Sequence, residues 1–515
     1  MKSLTQITLF LFIFSLTTVV IFFLFLGLVT AANKECAAMN IANNSEMHHT
    51  TFSDANHIKY TAEYKVSFIS LSPLKIHVSA SIPINGRTLD MDQTYPADLP
   101  EMSLKGWPAL VSNLIVSDAM GNRIEIKDDV KKGWQLPDST QSLLKLSYDL
   151  DYSIFASSEW SSALESAFAD SNNAIVVGRS VFITTSQINE INVKIITPKG
   201  WNAITPWKKI SKQKYKIMSE EDLINNILVF SKIKPDVFTA SGFKIQIVTM
   251  GHWQPLRPLV SRVLKTIIKR EVELMNFKEK ETYDVVLLPI SDEGGNAFRQ
   301  SFVYCYNDPS PENKDVWGNT LAHEIFHYWN YARLKGDSYS KSQWFQEGFT
   351  EYVANHVMVT GKIIDSNMFL NKLSEHVNNY RKLTTSLENY GTHKGPPLYS
   401  AGALVAFMWD IKIREVSNGN RNIGDFFRNL MTQTESGKRK YTWIDIKAAL
   451  QNTADYDWEG FYQSYIKGQE QLPLDSFFSI IGLSLNKSTD GSEEVFYSTI
   501  QSVESKNLFH NLIWN

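Results

Sequence analysis

Hydrophobic and polar positions alternate in short runs over most of the first half of the chain, from about Tyr60 to Pro235. KIHVSASIPI (75–84), SLLKLSYDLDY (142–152), AIVVGRSVFITT (174–185) and INVKIIT (191–197) are examples, separated by turn residues. That two-residue period predicts an antiparallel β domain. Near residue 236 the pattern changes. GFKIQIVTMG (242–251) and YDVVLLPI (283–290) read as strands, and PLVSRVLKTIIKREVELMNF (258–277) between them has helical periodicity. Beyond 317 helical patterns dominate, over 317–334, 343–359, 365–382, 400–416, 421–432, 442–452 and 457–467. The chain therefore reads as an α+β multidomain protein. A β domain occupies 58–235, a small sheet with a mostly helical lobe occupies 236–470, and a mixed tail occupies 471–515.

Before the β domain lie an uncharged run, TLFLFIFSLTTVVIFFLFLGLV (8–29), and a polar linker over 33–57. The run is long enough for a membrane anchor, which needs about 20 apolar residues. Val29-Thr30-Ala31 also has the small-residue pattern of a signal-peptide cleavage site. Residues 1–32 are thus a signal peptide or a membrane anchor. Either reading places the remainder outside the cytoplasm, as a periplasmic, membrane-anchored or secreted protein. Cys36 and Cys305 either pair in an oxidising compartment or stay as thiols. Lys and Arg number 51 against 54 Asp and Glu, a formal charge of −3, which argues against a nucleic-acid partner. With 43% hydrophobic and 20% charged residues, global disorder is excluded.

The chemistry is concentrated at His323-Glu324-Ile325-Phe326-His327. Positions four apart share a helix face, so His323 and His327 can present ring nitrogens to one ion. Glu324, beside the first histidine, is placed to take a proton from water at that ion. QWFQEGFTEYVANHV (343–357) is a second helical segment, and its Glu347 supplies the carboxylate that a two-histidine catalytic zinc site needs as third ligand. One zinc per chain is expected.

HEIFHYWNYARLK followed by WFQEGFTEY resembles the gluzincin zinc peptidases, and the glycyl aminopeptidase family in particular. LYSAGALVAFMWDIKIRE (398–415) is similar to that family's Tyr-x-Lys-Gly-Ala-Leu helix, and 457–485 to its tail. The resemblance implies an N-terminal β domain and a thermolysin-like catalytic domain. It implies that His323, His327 and Glu347 bind zinc, that Glu324 is the general base, and that Tyr399 donates to the developing oxyanion. Asn330 and Glu351 are further candidates. Glu351, one turn after Glu347, either orients His323 through its second ring nitrogen or belongs to a solvated helix face.

Three departures from the family stand out. Where the family has Gly-Gly-Leu-Glu-His, this chain has Gly294-Gly295-Asn296-Ala297-Phe298. The missing carboxylate would pair with a substrate's free α-amino group. Asn296-Ala297-Phe298 is instead similar to the edge strand of thermolysin-type endopeptidases, which makes Gly295, Asn296 and Ala297 candidates for holding the substrate main chain. Ala401 replaces the family's lysine, and no PDZ domain is expected in the roughly 30 residues after Leu485. The expected function is zinc-dependent hydrolysis of peptide bonds in a peptide or protein substrate, aminopeptidase-like by family with an altered terminus-binding motif. An endopeptidase, or a non-catalytic periplasmic binding or assembly protein, are the alternatives. Arg299 and Arg381 are candidate contacts for a substrate carboxylate. His393 is a candidate at the cleft's border, while His252, His356 and His376 have no partner at metal spacing.

Overall fold

Strict alternation between Thr61 and Pro83 builds the first hairpin of a computed structural model. The model describes residues 61–514 apart from 85, 93–104, 130–132, 139–142, 156–166, 186–187, 189, 292, 392–394, 436, 490 and 500. Thr61–Leu71 and Leu74–Pro83 pair antiparallel, with Val66 opposite Val78 and alternate side chains buried over Ala62–Val66 and Leu74–Ile82. They centre a seven-stranded sheet. One neighbour, Glu190–Ile196, runs parallel to Thr61–Leu71, so the sheet is antiparallel except at that pair. A second sheet of four strands is built around Asn173–Val177 and Ile227–Ser231, every residue of which is buried. The apolar run over 174–185 does not continue as a strand. It breaks into a 3-10 turn at Gly178–Ser180, because the backbone there is pressed against another turn. A Cβ on Gly178 would lie 2.3 Å from the Leu223 carbonyl oxygen.

A five-stranded sheet follows, made of β1 (Asp236–Ala240), β2 (Phe243–Thr249), β3 (Glu281–Leu288), β4 (Gly294–Ala297) and β5 (Ser301–Cys305). Its order is β1-β2-β3-β5-β4, with β2, β3 and β5 parallel and β4 antiparallel at the edge. Parallel strands need a long crossover, and helix α1 (Arg257–Met275) supplies it between β2 and β3. Both faces of the sheet are covered. Tyr283, Val285 and Leu287 of β3 join the helical core, while Val286 and Leu288 join the core of the N-terminal sheets.

Helix α2 is Lys314–Phe326, α3 Tyr339–Thr360, α4 Ser366–Tyr380 and α5 Pro396–Val416. Helix α5 is apolar on nearly every side and is buried from Leu398 to Arg414 but for Tyr399 and Lys412, as an all-round hydrophobic helix should be. The helical pattern over 317–334 stops early. After His327 the chain tightens into three-residue turns, with the Tyr328 amide bonded to the Ile325 carbonyl and Trp329 to Phe326. In this turn the Asn330 side-chain amide donates to the Phe345 and Gln346 carbonyls of α3. In the last stretch, a hairpin (Leu483–Lys487 with Glu493–Tyr497) and a helix (Val503–Trp514) add Val495, Leu508 and Leu512 to the helical core. The apolar run 8–29, Cys36 and His393 lie outside the described residues. Among the described residues no helix is long and apolar enough to cross a membrane. Cys305 is buried on β5.

Candidate metal centre

The last turn of α2 carries His323 and His327, and the buried face of α3 carries Glu347. His323 Nε2 lies 3.3 Å from Glu347 Oε2, and His327 Nε2 lies 3.4 Å from the same oxygen. One donor atom from each of the three falls within 4.8 Å of the others. Ligands bonded at about 2.0–2.1 Å to a tetrahedral ion stand roughly 3.3–3.4 Å apart. Two imidazole nitrogens and one carboxylate oxygen at this spacing fit zinc in both chemistry and distance.

Glu351 stands behind His323. Its Oε2 lies 3.0 Å from His323 Nδ1, and its Oε1 accepts from Asn319 Nδ2 at 3.0 Å and Asn355 Nδ2 at 3.0 Å. With Nδ1 donating backwards, the Nε2 lone pair faces the site. The chain of contacts continues. Asn355 Nδ2 also meets His376 Nε2 at 3.1 Å, and His376 Nδ1 meets Ser400 Oγ at 3.1 Å, next to Tyr399. Burial lowers the His323 pKa, but Glu347 and Glu351 outweigh it and raise it to about 10. Burial raises Glu351, yet the bond to His323 and its charge bring it down to about 2. The same opposition holds Glu347 well below the carboxylate range, through His323 and His327.

Glu324 is buried on the cavity side of α2 and touches the edge strand. A Cβ on Gly295 would fall 2.2 Å from Glu324 Oε1, so a larger residue there would push the carboxylate aside. Tyr399 stacks on His323 at 5.9 Å between ring centroids. Burial, Glu347 and Glu324 all raise its pKa, so the phenol keeps its proton as a donor. These groups line one cavity of about 460 Å³, together with Gly294, Asn296 and Ala297 of β4 and with Asn319, Thr320, Tyr331, Tyr339 and Arg179.

Asn330 takes a different place. It is fully buried and ties the post-zinc-helix turn to α3, its Nδ2 also bonding Thr350 Oγ1 at 3.2 Å. Arg299 and Arg381 are not at the cavity. Arg299 pairs with Glu221 and Asp222, and Arg381 with Glu493. The arginine that does reach the cavity, Arg179, gave no sequence signal, because it comes from the β-rich half. His376 was equally silent, since its partners are on α3 and α5. Gly348, inside the EGFT segment, and Gly402 meet where those helices touch.

The M61 glycyl aminopeptidase family model matches residues 317–390, and the Peptidase M61 N-terminal domain model matches 63–226. Among solved structures, an aminopeptidase N family protein from Idiomarina loihiensis aligns over 83% of this chain and 79% of its own, with 18% identity and a TM-score of 0.68. A mutant M1 zinc metallopeptidase from Deinococcus radiodurans, bound to a Tyr-Ser-Ala substrate, aligns over 81% and 94% with 12% identity and a TM-score of 0.53. Legionella pneumophila aminopeptidase A, in complex with aspartic acid, aligns over 81% of this chain and 50% of its own, with 12% identity and a TM-score of 0.50. At these identities the likeness is one of fold. No curated protein matches the sequence. Two models of one family thus match separate parts of the chain, and its fold is shared with solved zinc metallopeptidases, so the chain is similar to the M61 glycyl aminopeptidase family.

Proposed function

We propose that the chain hydrolyses peptide bonds at a zinc ion held by His323, His327 and Glu347. The spacing of the three donor atoms, with Glu324 on the same wall, carries this reading. Zinc, when bound, polarises a carbonyl oxygen and lowers the pKa of water. Glu324 takes the proton of the attacking water and returns it to the leaving amine, a role its contact with the edge strand keeps in place. Tyr399 donates its hydroxyl proton in a hydrogen bond to the carbonyl oxygen as negative charge grows there. Glu351 keeps the His323 ring turned toward the site.

One observation favours endopeptidase action over terminal cleavage. The carboxylates lining the cavity, among the described residues, are Glu324, Glu347 and Glu351, all committed to the metal centre. Position 297 is alanine, so no further carboxylate is present to hold an α-ammonium group. Strand β4, at the sheet's edge on the cavity wall, offers its backbone to a substrate main chain instead. Residues 8–29 carry the further proposal that this happens outside the cytoplasm.

Zinc analysis of the purified protein, with peptide turnover by wild type and Glu324→Gln, tests the mechanism. One zinc per chain and turnover lost in the variant with zinc retained is the expected result. Zinc without turnover of any peptide would point to a binding protein, and absence of zinc would overturn the ligand assignment. Free and amino-blocked peptides compared side by side test the cleavage mode, and cleavage of free termini alone would sink the endopeptidase reading.

A further inference from the structure

We propose that Tyr331 and Tyr339 make this site selective for peptides with an aromatic residue flanking the cleaved bond, an inference that rests on the hydrolytic reading above. Phe, Trp and Tyr side chains are largely buried in this chain. Among the described residues only four of them are exposed: Tyr331 at 41%, Tyr339 at 49%, Phe496 and Tyr497. Phe496 and Tyr497 lie on the hairpin strand Glu493–Tyr497. The other two line the catalytic cavity, a concave site where a substrate side chain can cover them.

Both rings stand beside the proposed catalytic groups. Tyr331 follows His327 by four residues, and the two rings meet edge to face, with centroids 6.0 Å apart and planes at 72°. Tyr339 opens α3, eight residues before Glu347, and is among the groups whose nearness keeps the Tyr399 phenol protonated. The rest of the described lining offers an aromatic residue little. It holds no Leu, Ile, Val, Met, Phe or Trp, and the Tyr399 ring is stacked on His323. Arg179 is engaged with Asp92 at 4.0 Å and with Asn225 at 3.0 Å. Tyr331 and Tyr339 therefore carry the large apolar surface of the cleft.

The segment that joins them is held along its length. The Ala332 amide donates to the His327 carbonyl at 2.9 Å, and the amide of Leu334, which is fully buried, donates to the Trp329 carbonyl at 2.9 Å. Asp337 donates its amide to the Tyr441 carbonyl at 2.9 Å, and Tyr441 returns one to the Lys335 carbonyl at 2.8 Å. Arg333 pairs with Glu281 at 3.2 Å, and Lys335 pairs with Glu221. A tyrosine on a held backbone has only two side-chain torsions left to fix, so binding costs little ordering. An aromatic side chain placed against such a ring gains an offset or edge-to-face contact beyond the burial of its area, whereas an aliphatic one gains burial alone.

The test uses the zinc-loaded protein and peptides carrying Phe, Leu, Lys, Ala or Gly at one position at a time, from two before to two after the cleaved bond. Product analysis fixes the bond that is cut. The reading is kcat/KM for the Phe peptide over that for the Ala peptide, a ratio in which a general loss of activity cancels. Wild type should give about 10 to 100 at a position flanking the bond, with Leu between Phe and Ala. Tyr331→Ala and Tyr339→Ala should each lower the ratio by about threefold or more, and the double variant should bring it near 1, with melting temperatures checked for each. Tyr331→Phe and Tyr339→Phe keep the rings and should keep the ratio; its loss in these variants would overturn the proposal by assigning the effect to the hydroxyls. A wild-type ratio near 1 at every position, a preference for Lys, Ala or Gly, or a Phe preference that survives in the double Ala variant would also overturn it and leave the peptidase reading standing. No cleavage of any peptide removes both.

Discussion

Gly348→Ala should damage catalysis far more than stability. Gly348 follows Glu347, the carboxylate proposed to bind zinc, on α3, and it meets Gly402 on α5, three residues after Tyr399. A Cβ on Gly348 would stand 2.3 Å from Gly402 Cα, 2.5 Å from its carbonyl carbon and 2.8 Å from the Ala403 nitrogen. Carbon atoms need about 3.5–4.0 Å, so the helices must part by roughly 1.2 Å or more. Backbone faces backbone here, and no side chain can swing aside. Overpacking of this kind costs about 1–3 kcal/mol, while alanine gains about 1 kcal/mol over glycine in a helix. The net loss of stability is therefore about 0–2 kcal/mol. The displacement, however, falls between Glu347 and Tyr399. A shift of about 1 Å in reacting groups costs on the order of 100-fold in rate. The assay is kcat on a cleaved peptide, with zinc content and melting temperature measured on the same preparation. A kcat down about 100-fold, with zinc retained and a melting temperature lowered by a few degrees, is expected. A kcat within about threefold of wild type would refute the claim that this glycine pair sets the spacing of ligand and donor.

Three further outcomes follow from the same geometry. Glu351→Ala should weaken zinc binding by about 10- to 100-fold in chelator competition, because His323 loses the acceptor that orients it; unchanged affinity would leave Glu351 a structural role only. Asp284→Asn should flatten the pH dependence of stability. Burial raises the Asp284 pKa to about 7, against the bond from Gln246, so between about pH 4 and 7 the unfolded chain holds fewer protons than the folded one. Stability therefore falls as pH rises through that window, by at most about 4 kcal/mol, and denaturant titrations at pH 5 and 8 should show the slope in wild type and lose most of it in the variant. Asp410→Ala should destabilise by about 3–5 kcal/mol, since it strands the buried Arg414 and removes the acceptor for Tyr352 and the Ile423 amide; a melting temperature within a degree or two of wild type would contradict this.

The parts of the fold with one dominant period were legible. Leu74–Pro83 lies one residue from its predicted span, α1 within two at either end, and α4 within two. The parts set by distant contacts were not. Periodicity carried α2 to 334, whereas the chain ends it at His327 and tightens into turns, with Tyr328 bonded to Ile325 and Trp329 to Phe326. The apolar run beyond Val177 gave no hint of a break, because what breaks it is the backbone of residues 223–224. At the candidate site, the structure brings together His323, Glu324, His327 and Glu347, which the helical spacing had singled out. His376 and Arg179 answer to partners on other elements, and no local pattern encodes that.

The turn that carries Arg179 brings the N-terminal sheets to the wall of the cavity. Their core is continuous with one face of the catalytic sheet, through Val286, Leu288 and Val303, and it includes Phe298 at the end of the substrate strand. The turn that carries Arg179 leaves one of those sheets directly after Asn173–Val177. The residues proposed as metal ligands, base and oxyanion donor thus come from α2, α3 and α5, while Arg179 of the β-rich half lines the same cavity. A chain cut at 235 would bare the apolar face of β3 and β5 and would also lose the arginine.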